Sequence, residues 1–397
     1  MSEFSFDELK SALSGMAAGF RSITRLQPIG GPGSKIFPAT YSGGVYATEK
    51  RRITEPAGEE RVVDCILIDS VQSQSNRAEE ALKHAIDRGR LSLPLIEVDF
   101  SSVNEKFRSP IPSLTTLDVP HRLADAILRD SELADGTRFS KSDYAKRWSR
   151  ANVWNATPVY ELCPTALVFG MWGSPEKPGG LGAKFERAYV SEIVAVDIEK
   201  VERRQGFRID PIGSSKNVPL KEKADGTYEV GNGKLRPSEL NHGNIPFESG
   251  NGGIVCRYTE QTTVVSFGAL RKLRFTSDRS QSPEINDAGR AVLAALALCA
   301  GVLASEVNTS LRSGCQLVPT ADREWELLEV PGQTPRTFRL NSERVLKVMK
   351  EAVQHAESLG LHWMKEKLAL RPSKELAELV RQSQEAAAKE KGDGEAV

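Results

Sequence analysis

Residues 62–85 read VVDCILIDSVQSQSNRAEEALKHA, and this stretch indicates the fold class. Val62–Ile68 is a short, nearly continuous apolar run, which predicts a buried central strand. Asp69 and Ser70 end the run, and the pattern after them predicts a helix over residues 71–88. Strands and helices continue to alternate along the chain, interrupted by long insertions, so the predicted class is α+β.

The same periodicities predict the remaining elements. Further helices are predicted over Phe4–Phe20, Gly289–Leu303, Glu343–Leu361 and Lys374–Lys389. Further strands are predicted over Leu93–Val98, Thr165–Trp172, Tyr189–Ile198 and Val264–Leu270. Residues 25–52 are dense in Gly, Pro and basic residues, which predicts a loop followed by a hairpin. Residues 199–253 are poor in apolar residues and carry Asn-Gly and Gly-Asn dipeptides, which predicts an inserted hairpin or loop.

The composition is typical of a soluble globular protein. The chain has 397 residues, 39% of them apolar, and its 53 Lys+Arg balance its 53 Asp+Glu. This neutrality excludes a simple polybasic coat for nucleic acid, but it is compatible with positive charge gathered on one face. The apolar stretch Ala291–Ala304 falls short of the ~20 residues that a membrane span needs. The N-terminal residues do not resemble a signal peptide, so we expect a cytoplasmic protein with no membrane contact.

The residue types of catalysis and metal binding are present without their usual spacing. The five cysteines are scattered, and no pair of Cys or Cys/His stands at zinc-ligand spacing. The five histidines lie in unrelated contexts, and neither HExxH nor GxSxG occurs. We therefore predict no catalytic residue, no metal and no cofactor. Glu79-Glu80 is interpreted as a solvated pair on a charged helix.

The junction between the predicted strand and helix is the strongest local signal for an anion site. It is the segment Ser70–Arg77, in which Ser73, Gln74 and Asn76 place short polar groups in the first turns of the helix. Free backbone N–H groups and the helix dipole favour an anion at such an N-terminus. Ordinary N-capping by Asp69 or Ser70 is the simpler alternative. The cluster ends in an arginine, so phosphate binding is predicted here.

Two glycine-rich loops, residues 30–35 and 179–184, are also candidates for phosphate contact. Each sets backbone N–H groups beside a lysine, Lys35 in the first and Lys184 in the second. Neither loop fits the P-loop pattern GxxxxGK[ST], so a P-loop nucleotidase is not predicted. Plain turns without a ligand are the alternative for both.

Basic residues are also concentrated in three other segments. Residues 138–150 carry five basic residues against one acid, and Arg147 and Trp148 could track a backbone and stack a base. A solvated helix with its aromatic residues turned to the core is the alternative. The other two clusters are Arg203, Arg204 and Arg208, and Arg271, Lys272 and Arg274. Concentrated basic patches in a neutral chain indicate a polyanionic partner.

Several of these segments, taken in order, are similar to one protein family. DSVQSQSNRAEEAL (residues 69–82) resembles the Ser-Ser-Gln-x-x-Lys-Arg segment of the backbone subunits of type I CRISPR surveillance complexes (Cascade). TALVFGMWGSPEKPGGLGAKFERAYVSEIVAVD (165–197) resembles their Phe-Gly-Arg-Met segment and the helix after it. With RLQPIGGPGSKIFPATYSGG (25–44), PHRLADAILRDS (120–131) and LRSGCQLVP (311–319), the chain resembles the RAMP-superfamily backbone subunit of type I-G, formerly I-U, systems.

The resemblance implies an RRM-like (ferredoxin-like) palm with finger and thumb insertions and a C-terminal helical appendage. On this interpretation the discontinuous palm covers residues 20–320. The finger or web insertion is 99–158, the thumb is 202–256, and the C-terminal helical segment is 341–390. Carried over by position, Ser73, Gln74, Asn76 and Arg77 would hold crRNA phosphates, with Asn76 standing where relatives often have Lys. The thumb assignment makes Arg203, Arg204 and Arg208 guide contacts.

The function that the resemblance implies is that of a non-catalytic, crRNA-binding subunit. Copies of the chain would polymerise along one guide as a helical filament and expose it for pairing with target DNA. The implied partners are crRNA, target DNA, other copies of the chain, the large subunit, and the subunit that caps or processes the guide end. The alternative is a metal-dependent ribonuclease of the same superfamily that cuts guide-paired RNA, with Asp69 as its candidate aspartate.

Overall fold

The computed structural model describes residues 4–42, 45–55, 57–101, 113–173, 182–199, 218–223, 227–237, 252–277, 281–307, 310–330 and 332–393. Its helices are α1 (Phe6–Ser14), α2 (Val71–Asp87), α3 (Ala126–Arg129), α4 (Asp143–Trp148), α5 (Thr157–Leu162), α6 (Thr165–Phe169), α7 (Phe267–Arg271), α8 (Pro283–Val307), α9 (Ser342–Ser358) and α10 (Lys374–Asp393). Two 3₁₀ turns lie at Arg122–Ala124 and Phe139–Lys141.

The strands of the described residues form one large sheet and several small ones. They are β1 (Gly19–Pro28), β2 (Thr40–Tyr41), β3 (Val45–Tyr46), β4 (Thr48–Thr54), β5 (Glu60–Asp69), β6 (Ile96–Asp99), β7 (Ser113–Thr115), β8 (Ser131–Glu132), β9 (Met171–Trp172), β10 (Lys184–Phe185), β11 (Tyr189–Glu199), β12 (Leu220–Glu222), β13 (Tyr228–Val230), β14 (Val255–Ser266), β15 (Ser310–Arg312), β16 (Cys315–Pro319), β17 (Trp325–Leu328), β18 (Arg336–Phe338) and β19 (Leu368–Pro372).

The large sheet is curled and antiparallel, and it confirms the predicted α+β class. Its strand order is β15-β16-β1-β14-β11-β5-β4, and β17 also pairs with β1 and carries β18. β14 lies at the centre, in register with β1 on one side and β11 on the other, so that Val265 faces both Phe20 and Tyr189. These two long ladders form the central part of the sheet.

Helices α2 and α8 cover one face of this sheet. Alternate residues of the central strands point into that face, and Phe20, Tyr189 and Val265 are buried there against the helices. α8 has the length and hydropathy of a membrane-spanning helix, but 83% of its most apolar window is buried within the fold. It is apolar on nearly every side because other elements surround it, which makes it the central core helix.

A second, four-stranded sheet of order β7-β6-β19-β8 packs beside the main core. β7 and β8 come from the predicted insertion 99–158, and β6 directly precedes it. β19 (Leu368–Pro372) comes from the C-terminal part of the chain and pairs with β6. Helix α9 packs its apolar face, including Val348 and Met349, into the main core. The predicted C-terminal segment 341–390 contacts the rest of the fold through α9, which packs on the apolar helix α8, and through β19, which pairs with β6 and β8. The assignment of this segment as a helical appendage remains a prediction.

Most elements predicted from periodicity are confirmed, with shifted ends. β5 covers Val62–Ile68, α2 covers all but the last residue of 71–88, and β11 covers Tyr189–Ile198. The loop and hairpin predicted in residues 25–52 are present, although the loop begins only after β1 ends at Pro28. The helix predicted over Phe4–Phe20 ends at Ser14, because the chain turns at Gly15 and enters β1.

One predicted strand is wrong, and a second is wrong only in its C-terminal half. Thr165–Trp172 forms helix α6 followed by the short strand β9, and Gly170 separates the two at a positive φ of 85°. All five residues of α6 are buried, so the segment shows no period by which a helix could be told from a strand. In Val264–Leu270, the strand ends at Ser266, whose side chain caps helix α7.

The two predicted insertions each connect elements of the main fold. The segment 202–256 connects β11 to its neighbour β14, and its described residues include the hairpin β12–β13. The segment 99–158 lies between β6 and α5 and contributes Leu123 and Phe139 to the main core. The assignment of these segments as thumb and finger remains a prediction.

Candidate nucleic-acid interface

The Ser70–Arg77 junction holds an anion that belongs to the chain itself. The carboxylate of Asp69 is fully buried at the end of β5. Ser73 Oγ donates to it at 2.8 Å, Gln74 Nε2 at 2.6 Å and Arg77 Nε at 2.9 Å. Arg312 of β15 adds a longer contact of 3.4 Å. The donors that sequence reasoning assigned to an RNA phosphate thus converge on Asp69.

The other residues of the junction have separate roles. Ser70 is the N-cap of α2 and accepts a hydrogen bond from the backbone N–H of Ser73 at 3.3 Å. Capping is therefore done by Ser70 and not by Asp69. Asn76 is exposed on the outer side of the helix. A phosphate contact by Ser73, Gln74 or Arg77 remains a prediction, but these side chains would have to share or release Asp69 to make it.

The ribonuclease alternative is not favoured by the position of Asp69. Its carboxylate has no exposed surface, and both of its oxygens accept hydrogen bonds from side chains. A metal ion or a water activated by one could not reach it in this arrangement. Within the described ranges, no group of three or more His, Cys, Asp or Glu side chains lies at metal-binding distance.

Beyond the junction, the structure forms a long groove between the inserted segment and the start of β11. The groove has a volume of about 1480 Å³ and is open to solvent. One wall comes from residues 120–129 and from the α4 region, and the other from the hairpin β9–β10 and the residues before β11. This cleft is called the groove below. Sequence reasoning did not predict it, because its walls are distant in sequence.

Basic residues outnumber acidic ones among the described residues that line the groove, although the chain as a whole is neutral. One acidic residue, Glu186, is among the residues that line it, and its carboxylate pairs with Lys272 at 2.6 Å. The basic lining residues are Arg122, Arg129, Lys146, Arg150, Lys184 and Arg187. This is the segregation of positive charge that a polyanion-binding face requires in a neutral protein.

Three of these cations are available to a ligand. Lys184, Arg150 and Arg187 are exposed, and none of them forms an ion pair with another described residue. Arg129 and Lys146 are partly neutralised by Asp130 and Asp143, each at 2.7–2.8 Å. Exposed cations without a carboxylate partner can bind phosphates without first breaking an internal ion pair.

Two indoles lie in the groove, and they differ in exposure. The Trp172 side chain is 70% exposed, and the Lys184 ammonium lies 5.6 Å from its ring centroid. Trp148 is half-buried, because its ring packs so closely on Gly173 that a Cβ at Gly173 would lie 3.1 Å from it. The Trp148 Nε1–H is buried and has no hydrogen-bond partner. The exposed stacking surface is therefore that of Trp172, whereas the sequence pointed to Trp148.

The floor of the groove is fixed by a buried ion pair between Arg122 and Glu79 of α2. Arg122 Nε lies 2.5 Å and its second terminal nitrogen 2.7 Å from the two Glu79 oxygens, a bidentate arrangement. The other terminal nitrogen donates to the carbonyl of Gly170 at 3.0 Å. Burial raises the pKa of Glu79, and the hydrogen bonds from Arg122 oppose that effect. The interpretation of Glu79 as a solvated residue is wrong, since this pair joins α2 to the inserted segment.

The remaining predicted site residues do not join the groove. Arg147 lies on α4 beside the groove-lining residues but pairs with Glu161 on the side towards α5. Lys35 lies next to Gly253, near the residues that pair with the far end of β11, whereas Lys184 precedes the start of that strand. Arg203, Arg204 and Arg208 lie outside the described residues. The structure therefore brings Trp148 and Lys184 together and leaves Lys35 and Arg147 apart from them.

Sequence reasoning missed Arg150, Arg187 and Trp172 as site residues. Arg150 was counted in the basic stretch 138–150, but Arg147 and Trp148 were named as the contact residues of that stretch. Arg187 stands two residues before the predicted strand over Tyr189–Ile198 and was not singled out. Trp172 was the last residue of the predicted strand Thr165–Trp172, and its exposure depends on the position of β9 after α6.

Residues 21–200 match the model of a protein family described as CRISPR-associated protein GSU0053 (Cas_GSU0053). A search of curated proteins found no match. The matched part runs from β1 to the end of β11, and it includes α2, the Ser70–Arg77 junction and all the described residues that line the groove. This similarity supports the CRISPR-associated part of the resemblance inferred from the sequence motifs.

Proposed function

We propose that the chain is a non-catalytic crRNA-binding backbone subunit of a type I-G CRISPR surveillance complex, acting in the cytoplasm in antiviral defence. Copies of it polymerise along the guide RNA and expose its bases for pairing with target DNA. The large subunit and the subunit that caps or processes the guide end complete the assembly. The proposal extends the family similarity from a CRISPR-associated role to one subunit and one ligand.

The observation that carries the proposal is the groove. Among the described residues that line it, six are basic and one is acidic, and three of the six basic residues have no carboxylate partner among the described residues. Its free cations, Arg150, Lys184 and Arg187, lie together with an exposed indole, the combination that binds single-stranded nucleic acid. All of these residues lie in the part of the chain that is similar to the CRISPR-associated family.

The order of the central strands supports an RRM-like palm. Counting β1, β11, β14 and the β16/β17 pair as strands one to four gives the spatial order 4-1-3-2. α2 lies between the first and second of these strands in the chain, and α8 between the third and fourth. This is the βαββαβ connectivity of the ferredoxin-like fold, with β4–β5 inserted ahead of the first helix. An RRM binds RNA on such a scaffold.

Assembly on RNA is the direct test. We expect the purified chain, mixed with a synthetic guide RNA, to elute from size exclusion as a large species with high absorbance at 260 nm. Nuclease treatment should return it to the monomer, because the RNA is what holds the copies in a row. A chain that elutes as a monomer without bound RNA, both as purified and after addition of the synthetic guide, would contradict the proposal.

The salt dependence of binding tests whether the groove is the contact surface. Arg150→Ala with Arg187→Ala should lower the slope of log affinity against log salt by about 1.4, since each lost contact with single-stranded RNA removes about 0.7. Fluorescence anisotropy with labelled oligouridylate over a range of salt concentrations measures this slope. Arg147→Ala is the matched control, because Arg147 pairs with Glu161 away from the groove. Equal slopes for the double variant and wild type would exclude the groove.

A further inference from the structure

The position of Trp172 needs an explanation beyond charge. Its indole is 70% exposed, although burying a side chain of this size would stabilise the fold. Phosphate binding does not require an aromatic ring, and Arg150 and Arg187 already supply cations for it. An exposed indole held at the edge of a cationic groove is a surface on which a flat, apolar group can stack.

The backbone around Trp172 is held so that the ring remains at the edge of the groove. β9 is a two-residue strand that pairs with β10, with Trp172 opposite Lys184. On its C-terminal side, Gly173 packs against the Trp148 ring, and no larger residue fits there without displacing that ring. On its N-terminal side, the carbonyl of Gly170 accepts a hydrogen bond from buried Arg122. The backbone of Trp172 is therefore held on both sides, which keeps this residue at the groove.

The size and openness of the groove indicate what kind of ligand would stack there. At about 1480 Å³, the groove exceeds the ~300–1,000 Å³ of pockets for small molecules, so it suits a segment of polymer. In a duplex, both faces of every internal base are covered by its neighbours. Only an unpaired, unstacked base can offer a free face to Trp172 while its flanking phosphates reach the arginines.

We propose that the groove binds single-stranded RNA with one base unstacked onto the exposed face of Trp172. Lys184 and the free arginines, Arg150 and Arg187, hold the phosphates on either side of that base. This inference rests on the proposed RNA-binding function and adds to it a requirement for a base. A ligand with the same charge and no bases should lack this contribution.

The test compares oligouridylate with inorganic polyphosphate of similar charge. Trp172→Ala should weaken binding of labelled oligouridylate by about 5- to 150-fold, since one base–aromatic stack contributes about 1–3 kcal/mol. The same variant should leave competition by polyphosphate unchanged, and Trp172→Phe should restore most of the affinity. Binding of oligouridylate to wild type should also quench indole fluorescence, and this quenching should be reduced in Trp172→Ala.

Trp154→Ala is the matched control. Trp154 is also exposed, at 64%, and has the Arg274 guanidinium 4.3 Å from its ring centroid, but it does not line the groove. Unchanged oligouridylate affinity in Trp172→Ala, or an equal loss in Trp154→Ala, would contradict base stacking on Trp172. Either result would leave the proposed RNA binding intact. If wild type bound neither oligouridylate nor a guide RNA, the proposed function itself would fail, and this inference would fail with it.

Discussion

Arg122→Ala is expected to lower the free energy of unfolding by about 3–5 kcal/mol, although Arg122 lies on no α-helix or strand. The arginine is only 9% exposed and its partner Glu79 only 3%, so removal of the guanidinium leaves a carboxylate buried without a counter-ion. The hydrogen bond to the Gly170 carbonyl is lost as well. Urea unfolding followed by circular dichroism measures the change, with the slope m compared between variant and wild type.

Replacing the ion pair as a whole separates the charge effect from a loss of packing. Glu79→Leu combined with Arg122→Met keeps similar side-chain volume and buries no charge, so it should cost much less than either single truncation. A double variant as unstable as Arg122→Ala would show that shape, and not the unpaired charge, determines the loss. That result would contradict the anchoring role given to this pair.

The pH dependence of the Arg122→Ala defect has a defined sign. Burial already raises the pKa of Glu79, and the variant removes the hydrogen bonds that oppose this rise. A raised folded-state pKa gives stability that is present below the unfolded pKa of Glu and is lost as pH rises through the folded value. The deficit should therefore be smaller in mildly acidic than in mildly alkaline buffer. Adding Glu79→Gln to Arg122→Ala should abolish this difference, because the titrating group is gone.

The helices and strands of the fold were predictable where one face or both ends of the element are polar. α2 alternates buried and exposed positions at the helical period, and β11 is bounded by charged residues, so both were found within a residue or so of their ends. α6 was assigned wrongly for the opposite reason. Its residues are buried on every side, and a short apolar segment without a polar face contains no period.

The candidate site was only partly predictable, since sequence spacing cannot show which face the core will occupy. The basic stretch 138–150 was identified, but Arg147 on α4 pairs with Glu161, whereas Arg150, two residues after α4, lines the groove. Glu79 looked solvated because its neighbours are charged, and its partner Arg122 stands 43 residues away. A single sequence does not show which residues form pairs over such a distance along the chain.

Asp69→Ala should produce the other large effect, a loss of about 3–5 kcal/mol in the free energy of unfolding. The carboxylate is fully buried. It accepts hydrogen bonds from Ser73 and Gln74 and forms ion pairs with Arg77 and Arg312. Without it, the guanidinium groups of Arg77 and Arg312 and the donors at the start of α2 lose their shared acceptor. If Asp69 is the anion held there, a small external anion should replace it in part. Inorganic phosphate at millimolar concentration should then raise the unfolding midpoint of Asp69→Ala more than that of wild type.

This rescue distinguishes the two interpretations of the Ser70–Arg77 junction. An internal anchor predicts that phosphate stabilises the Asp69 variant selectively and that Arg77→Ala also destabilises the fold, because Arg77 bonds both Asp69 and the Leu311 carbonyl. An RNA-phosphate site predicts instead that Arg77→Ala weakens RNA binding and leaves the unfolding midpoint unchanged. Arg77 cannot satisfy both predictions fully, since a guanidinium held by a buried carboxylate has little free energy left to offer a solvated phosphate. Asn76→Ala is the matched variant on the exposed side of the same turn, and it should change neither property if the junction is an internal anchor.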